Sequence, residues 1–137
     1  MPLLKVEDLN VRYGSIQGTA GLSFEVNAGE IVALIGSNGA GKSSTLKAIL
    51  GMASYVSGTI VYNGQSLKNM KPHEVVGLGV GYSPEGRRVF PALSVQDNLR
   101  VGGYTRSTQE FEQRSEQIYG YFPVSYTHLT LPTIYSV

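Results

Sequence analysis

The sequence predicts an α/β fold, and three observations carry the prediction. Residues 30–35 read Glu-Ile-Val-Ala-Leu-Ile, an apolar run without polar alternation, as expected of a central parallel strand buried on both faces. They lead straight into Gly36-Ser37-Asn38-Gly39-Ala40-Gly41-Lys42-Ser43, a match to G-x-x-x-x-G-K-S/T, followed by apolar residues at helical spacing. Before and after this strand-turn-helix unit lie segments of loose apolar and polar alternation closed by turn residues, the pattern of half-buried strands.

Residues 3–13 alternate and end at Gly14, a strand followed by a turn. Residues 21–26 read as a second strand, which Asn27-Ala28-Gly29 turns into the run 30–35. The next helix is expected to begin at about Gly41. It carries Leu46, Ile49 and Leu50 on one face, and Gly51 is a suitable stop. Residues 58–62 with Asn63-Gly64 read as strand and hairpin, because Asn-Gly favours the positive φ angles of a type I′ turn. Residues 71–77 form a short helix candidate with Pro72 in its first turn. Residues 79–83 read as another buried strand, left by the polar loop Pro84-Glu85-Gly86-Arg87-Arg88. Ser94-Val95-Gln96-Asp97 and Ser107-Thr108-Gln109-Glu110 each resemble a capping box, which places helices over residues 94–102 and 107–120. The expected architecture is a mixed sheet feeding a parallel core, then the start of a helical segment, without internal repeats.

Composition sets the outer limits. A chain of 137 residues has room for one domain, and 42% hydrophobic with 15% charged residues is the balance of a globular protein. A formal net charge of +1, with Lys and Arg scattered, makes no electrostatic case for nucleic acid. The chain has no cysteine, which excludes disulfides and thiolate metal sites. No apolar run approaches the roughly 20 residues that span a bilayer, and Met1-Pro2-Leu3-Leu4-Lys5 is too short and too soon charged for a signal peptide. Membrane association is therefore expected only through partners.

The Gly36–Ser43 motif has a direct chemical reading. Its glycines let successive backbone N–H groups turn inward around a phosphate chain, Lys42 can reach the outer phosphates, and the Ser43 hydroxyl can ligate Mg²⁺. The helix that follows adds its positive end to the same anion site. The motif alone does not separate a transport ATPase from a kinase or a GTPase. No N-K-x-D segment is present to read guanine, which ranks a GTPase low.

A wider set of residues narrows the choice. Leu9-Asn10-Val11-Arg12-Tyr13-Gly14, the phosphate loop, Gly58-Thr59-Ile60 with Asn63-Gly64, and Gly81-Tyr82-Ser83-Pro84-Glu85-Gly86-Arg87-Arg88-Val89-Phe90-Pro91 with Leu93-Ser94-Val95 and Asn98-Leu99 spread over about 120 residues. Together they resemble the nucleotide-binding subunit of an ABC transporter, and more narrowly the second ATPase subunit of branched-chain amino acid importers, the LivF type. The resemblance implies the N-terminal half of a P-loop NTPase domain of the ABC ATPase kind: an antiparallel β subdomain, part of the parallel core, and the start of the helical subdomain.

It also implies roles for single positions. Tyr13 matches the aromatic that stacks on adenine, a flat π face that confers affinity with little base selectivity. Ser37, Asn38, Gly39, Ala40, Gly41, Lys42, Ser43 and Ser44 fall on the phosphate-binding positions, and the implied ligands are ATP and Mg²⁺. Glu85 stands where most ABC ATPases have the Q-loop glutamine, which approaches the Mg²⁺; the glutamate is a mark of the LivF type, and with Ser43 it makes up the implied metal set. Arg87 and Arg88 match the surface that docks on the membrane-embedded partner, although solvated loop arginines read the same way. Lys68, Lys71 and His73 are assigned no role.

The implied partners are transmembrane permease subunits and a second ATP-binding subunit, in a homo- or heterodimer, at the cytoplasmic face of the cell membrane. The family pattern continues to an LSGGQ-type signature, a Walker B strand ending in Asp and Glu, and a switch histidine, none of which occurs in this sequence. The Asp supports Mg²⁺ and the Glu orients the attacking water, so no catalytic set is complete and the chain alone is expected to be inactive. The resemblance covers residues 1–123. Residues 124–137, Val-Ser-Tyr-Thr-His-Leu-Thr-Leu-Pro-Thr-Ile-Tyr-Ser-Val, carry no charge and no helical period, and resemble translated adapter read-through. The chain is thus expected to be a C-terminally truncated fragment with a non-native tail, and His128 is not the switch histidine.

Overall fold

The computed structural model describes residues 1–37, 39–86 and 88–123. The expectations for Asn38, Arg87 and the tail with His128 lie outside the described residues. The chain divides into a first unit, Met1–Tyr82, and a second from Ser83 onward.

The first unit is built on a four-stranded antiparallel sheet in the order β2-β1-β3-β4. It comprises β1 (Leu4–Tyr13), β2 (Ile16–Val26), β3 (Ser57–Tyr62) and the two-residue β4 (Gln65–Ser66). β1 supplies the centre because a bulge corrects its pattern. Val6 and Leu9 are three residues apart and would face opposite ways in a regular strand, but the register shifts between them and Asp8 takes φ 46°. The extra residue puts Val6, Leu9 and Val11 together in the core. Side chains satisfy the bulge: the Asp8 N–H donates to the Ser23 hydroxyl at 2.8 Å, and Asn10 donates to the Asp8 carbonyl at 2.8 Å. Across the pair, Gly58 sits at φ 99° where a Cβ would lie 2.6 Å from the Asp8 carbonyl oxygen. Only glycine fits against the bulge.

Two helices of this unit, α1 (Lys42–Ile49) and α2 (Pro72–Gly77), contribute Ala48, Ile49 and Val75 to the same core, with Ile60 from β3 and Leu67 after β4. Burial of each large aliphatic side chain stabilises by about 1.5–3 kcal/mol. α1 stops as expected at Gly51, which takes φ 74°. The Met52 N–H donates to the Lys47 carbonyl and the Gly51 N–H to that of Ala48, the two bonds of a Schellman motif. Asn63 and Gly64 both have positive φ, 48° and 80°, which makes the β3-β4 turn type I′. β2 begins at Ile16 rather than at residue 21, because pairing with β1 carries through Gly18 and Gly21, which read as breaks in isolation.

Two segments differ from expectation. Residues 30–35 and 79–83 are not paired into any sheet, and Ile31 and Ile35 are 98% and 92% exposed. The α/β class stands, but these apolar runs are not the buried parallel strands that their sequence predicts. A parallel strand takes its hydrogen bonds and its burial from neighbours on both sides, and among the described residues no strand pairs with either run.

The second unit holds α3 (Val95–Gly102) and α4 (Thr108–Tyr121) after the loop 83–93. Both helices are capped where the sequence places the caps. The Ser94 hydroxyl accepts from the Asp97 N–H at 3.1 Å, and the Ser107 hydroxyl accepts from the Glu110 N–H at 3.2 Å. Asn98 ties the loop to α3 by accepting from the Phe90 N–H at 2.8 Å and donating to the Ser94 carbonyl at 2.9 Å.

Candidate functional site

The site lies in the first unit, where the loop after residue 35 meets α1. Gly39 and Gly41 take φ 85° and 99°, the left-handed region that side chains disfavour, and so let the backbone curl. The Ala40 N–H donates to the Ser37 carbonyl at 3.1 Å, which closes the turn. A Cβ on Gly36 would lie 2.9 Å from that of Ala40, so the first glycine is as necessary as the others. α1 then begins at Lys42 with Gly41 as N-cap and no side chain capping it. The N–H groups of its first turn are thus left to whatever binds there, at the positive end of the helix. The Lys42 ammonium donates to the Gly36 carbonyl and, at 3.3 Å, to the Ser37 carbonyl, which holds it over the loop. Ser43 is exposed beside it, and Ser44 is half-buried.

Tyr13 comes to the same place from another element. It ends β1 at 45% exposure. Gly18 of β2 meets both it and α1: a Cβ there would be 3.0 Å from the Tyr13 ring and 2.7 Å from the Ser44 hydroxyl oxygen. The fold therefore brings the aromatic and the first turn of α1 against the same glycine. Beneath, Thr19 and Thr45 are buried, and both donate to the Gly41 carbonyl, at 3.1 and 2.8 Å. Gly18, Thr19 and Thr45 escape sequence reading, although a glycine inside a strand is a signal of close approach.

Glu85 belongs to the second unit, as an exposed loop residue whose carbonyl accepts from the Arg88 guanidinium at 3.2 Å.

The residues of the first unit fit a polyphosphate. They offer an uncapped helix start, glycines that let the backbone curl, and a cation. Mg²⁺ is commonly held by few protein oxygens together with phosphate and water. Ser43 offers such an oxygen.

Comparison with known proteins agrees with this chemistry. A model of the family described as ABC transporter matches residues 19–131. The chain belongs to the ABC transporter family. The matched span runs past Val124, where the sequence leads one to expect a tail to begin. The high-affinity branched-chain amino acid transport ATP-binding protein BraG of Pseudomonas aeruginosa is 36% identical over 121 residues, 88% of this chain and 52% of that protein. The probable branched-chain amino acid transport ATP-binding protein LivF of Archaeoglobus fulgidus is 32% identical over 88% of this chain and 51% of its own length. The lipopolysaccharide export system ATP-binding protein LptB of Haemophilus influenzae is 33% identical over 85% of this chain and 48% of its own. A solved ATP binding subunit of an ABC transporter superposes with a TM-score of 0.84 at 32% identity, over 98% of this chain and 56% of that one. The chain spans about half the length of the curated relatives it matches. No helix among the described residues is long and apolar enough to cross a membrane.

Proposed function

We propose that this chain is the ATP-holding part of a transport subunit that couples ATP hydrolysis to import of branched-chain amino acids. One observation carries the nucleotide reading: the uncapped start of α1, its glycine loop and the Tyr13 ring converge around Gly18. Ser37, Asn38, Gly39, Ala40, Gly41, Lys42, Ser43 and Ser44 would hold the phosphates, and Tyr13 would pack on the adenine. Ser43 would hold Mg²⁺, with Glu85 assigned to the same ion by resemblance alone. When bound, the ion offsets phosphate charge. The substrate class is supported by the BraG and LivF relatives and by the Pro84–Pro91 loop, while LptB shows that other ABC systems share this half of the domain. Permease subunits and a second ATP-binding subunit are the proposed partners, with membrane contact only through them, at the cytoplasmic face.

A second reading is an ATP-binding module without turnover. It is favoured by the sequence, which contains no LSGGQ signature and no Walker B acidic pair. Phosphate release from the purified chain, compared with a Lys42→Ala control, separates the two: release above the control supports an enzyme, and equal release supports the module. Loss of leucine uptake when the gene is deleted supports the branched-chain assignment, and unaltered uptake contradicts it. The division at residue 123 is likewise a proposal, supported by the composition break and weighed against a family match that reaches residue 131. Sequencing the locus beyond codon 123 decides it.

A further inference from the structure

Thr19 and Thr45 form a buried hydroxyl pair under the phosphate loop. They are 3% and 0% exposed, and their Oγ1 atoms are 3.1 Å apart. Each also reaches the Gly41 carbonyl, Thr19 across from β2 at 3.1 Å and Thr45 from within α1 at 2.8 Å. The Thr45 N–H already donates to that carbonyl at 2.9 Å, so the carbonyl would be satisfied without either hydroxyl. Valine has nearly the same shape and would fill both positions without the cost of burying two hydroxyls. The bonds therefore point to a demand other than packing.

That demand follows from peptide geometry. Gly41 C=O and Lys42 N–H belong to one planar peptide, trans like all the others described, so the two groups point in opposite directions. Fixing the carbonyl from below aims the Lys42 N–H into the concave side of the loop. Gly41 is permissive enough to need this: it stands at φ 99°, pressed against the Gly18 carbonyl, where its own side chain restrains nothing. We infer that Thr19 and Thr45 are positioning residues, a hydroxyl clamp from β2 and α1 that holds the Gly41–Lys42 peptide in its phosphate-binding orientation. This rests on the polyphosphate reading of the site and adds a control that neither residue exerts by touching the ligand.

The test compares the full chain with Thr19→Val, Thr19→Ser and the double variant Thr19→Val/Thr45→Val. Binding of Mg-ATP and of inorganic tripolyphosphate is followed by calorimetry, and thermal unfolding is recorded beside it. Thr19→Val is expected to weaken tripolyphosphate about fivefold, the loss of one hydrogen bond's worth of orientation, and Thr19→Ser to restore it. The double variant makes the split clear. Its two valines leave no buried hydroxyl of the pair without a partner and leave the Gly41 carbonyl accepting from the Thr45 N–H, so the parent melting temperature is expected to be kept while phosphate affinity stays reduced. Parent-like tripolyphosphate affinity in the valine variants overturns the clamp while leaving the polyphosphate site intact. Parent affinity no better than that of Lys42→Ala overturns the polyphosphate site itself, and the clamp with it. Should Thr19→Val fail to fold, the serine and double variants carry the same comparison.

Discussion

Gly18 shows how a residue without a side chain can set a site's dimensions. The space that a Cβ would take at Gly18 is bordered by both the Tyr13 ring and Ser44, so a side chain there would press on both. Gly18→Ala would place a methyl group 2.7 Å from the Ser44 hydroxyl oxygen, and one of the two neighbours must then move. We expect several-fold weaker ATP binding, measured by fluorescence of a labelled nucleotide, with secondary structure unchanged by circular dichroism. Parent-like affinity would mean that the ring and the helix start do not act on one ligand. The motif residues around Lys42 were legible at this scale because a phosphate cradle needs a fixed spacing of glycines and Lys-Ser. Gly18, Thr19 and Thr45 were not, since their part depends on β2 crossing beneath α1, a contact between positions 22 and 26 residues apart that no local pattern records.

Among the elements, those specified by local chemistry formed where the sequence places them. Ser94 and Ser107 cap their helices, Gly51 ends α1, and Asn63-Gly64 turns β3 into β4. Ser94→Ala removes the acceptor for the Asp97 N–H and is expected to cost about 1 kcal/mol, seen as a lower urea midpoint for the helical signal of α3. A midpoint equal to the parent's would show that the cap does not carry α3. Elements whose formation depends on neighbours behaved otherwise. The apolar runs at 30–35 and 79–83 have the composition of buried parallel strands, but composition supplies neither the adjacent strand nor the covering layer. β1 makes the complementary point: its alternation is imperfect in sequence, and the bulge at Asp8, packed on Gly58, restores one apolar face.

At the scale of the whole molecule, the first unit presents Ile31 and Ile35 to solvent on a stretch whose backbone joins no sheet. Such apolar, unpaired backbone is a template for association. The full chain is therefore expected to self-associate with rising concentration in sedimentation velocity, and Ile31→Glu/Ile35→Glu to reduce it. A monomer at all concentrations with one cooperative thermal transition would contradict this. Where that stretch turns into the glycine loop, the chain is expected to bind ATP. Calorimetric titration of the full chain with Mg-ATP, against Lys42→Ala and with Mg-GTP as a parallel ligand, tests it most directly. Saturable ATP binding at least as strong as GTP binding, reduced more than tenfold by the substitution, is the result expected; equal binding by parent and variant, or a marked preference for GTP, would contradict it.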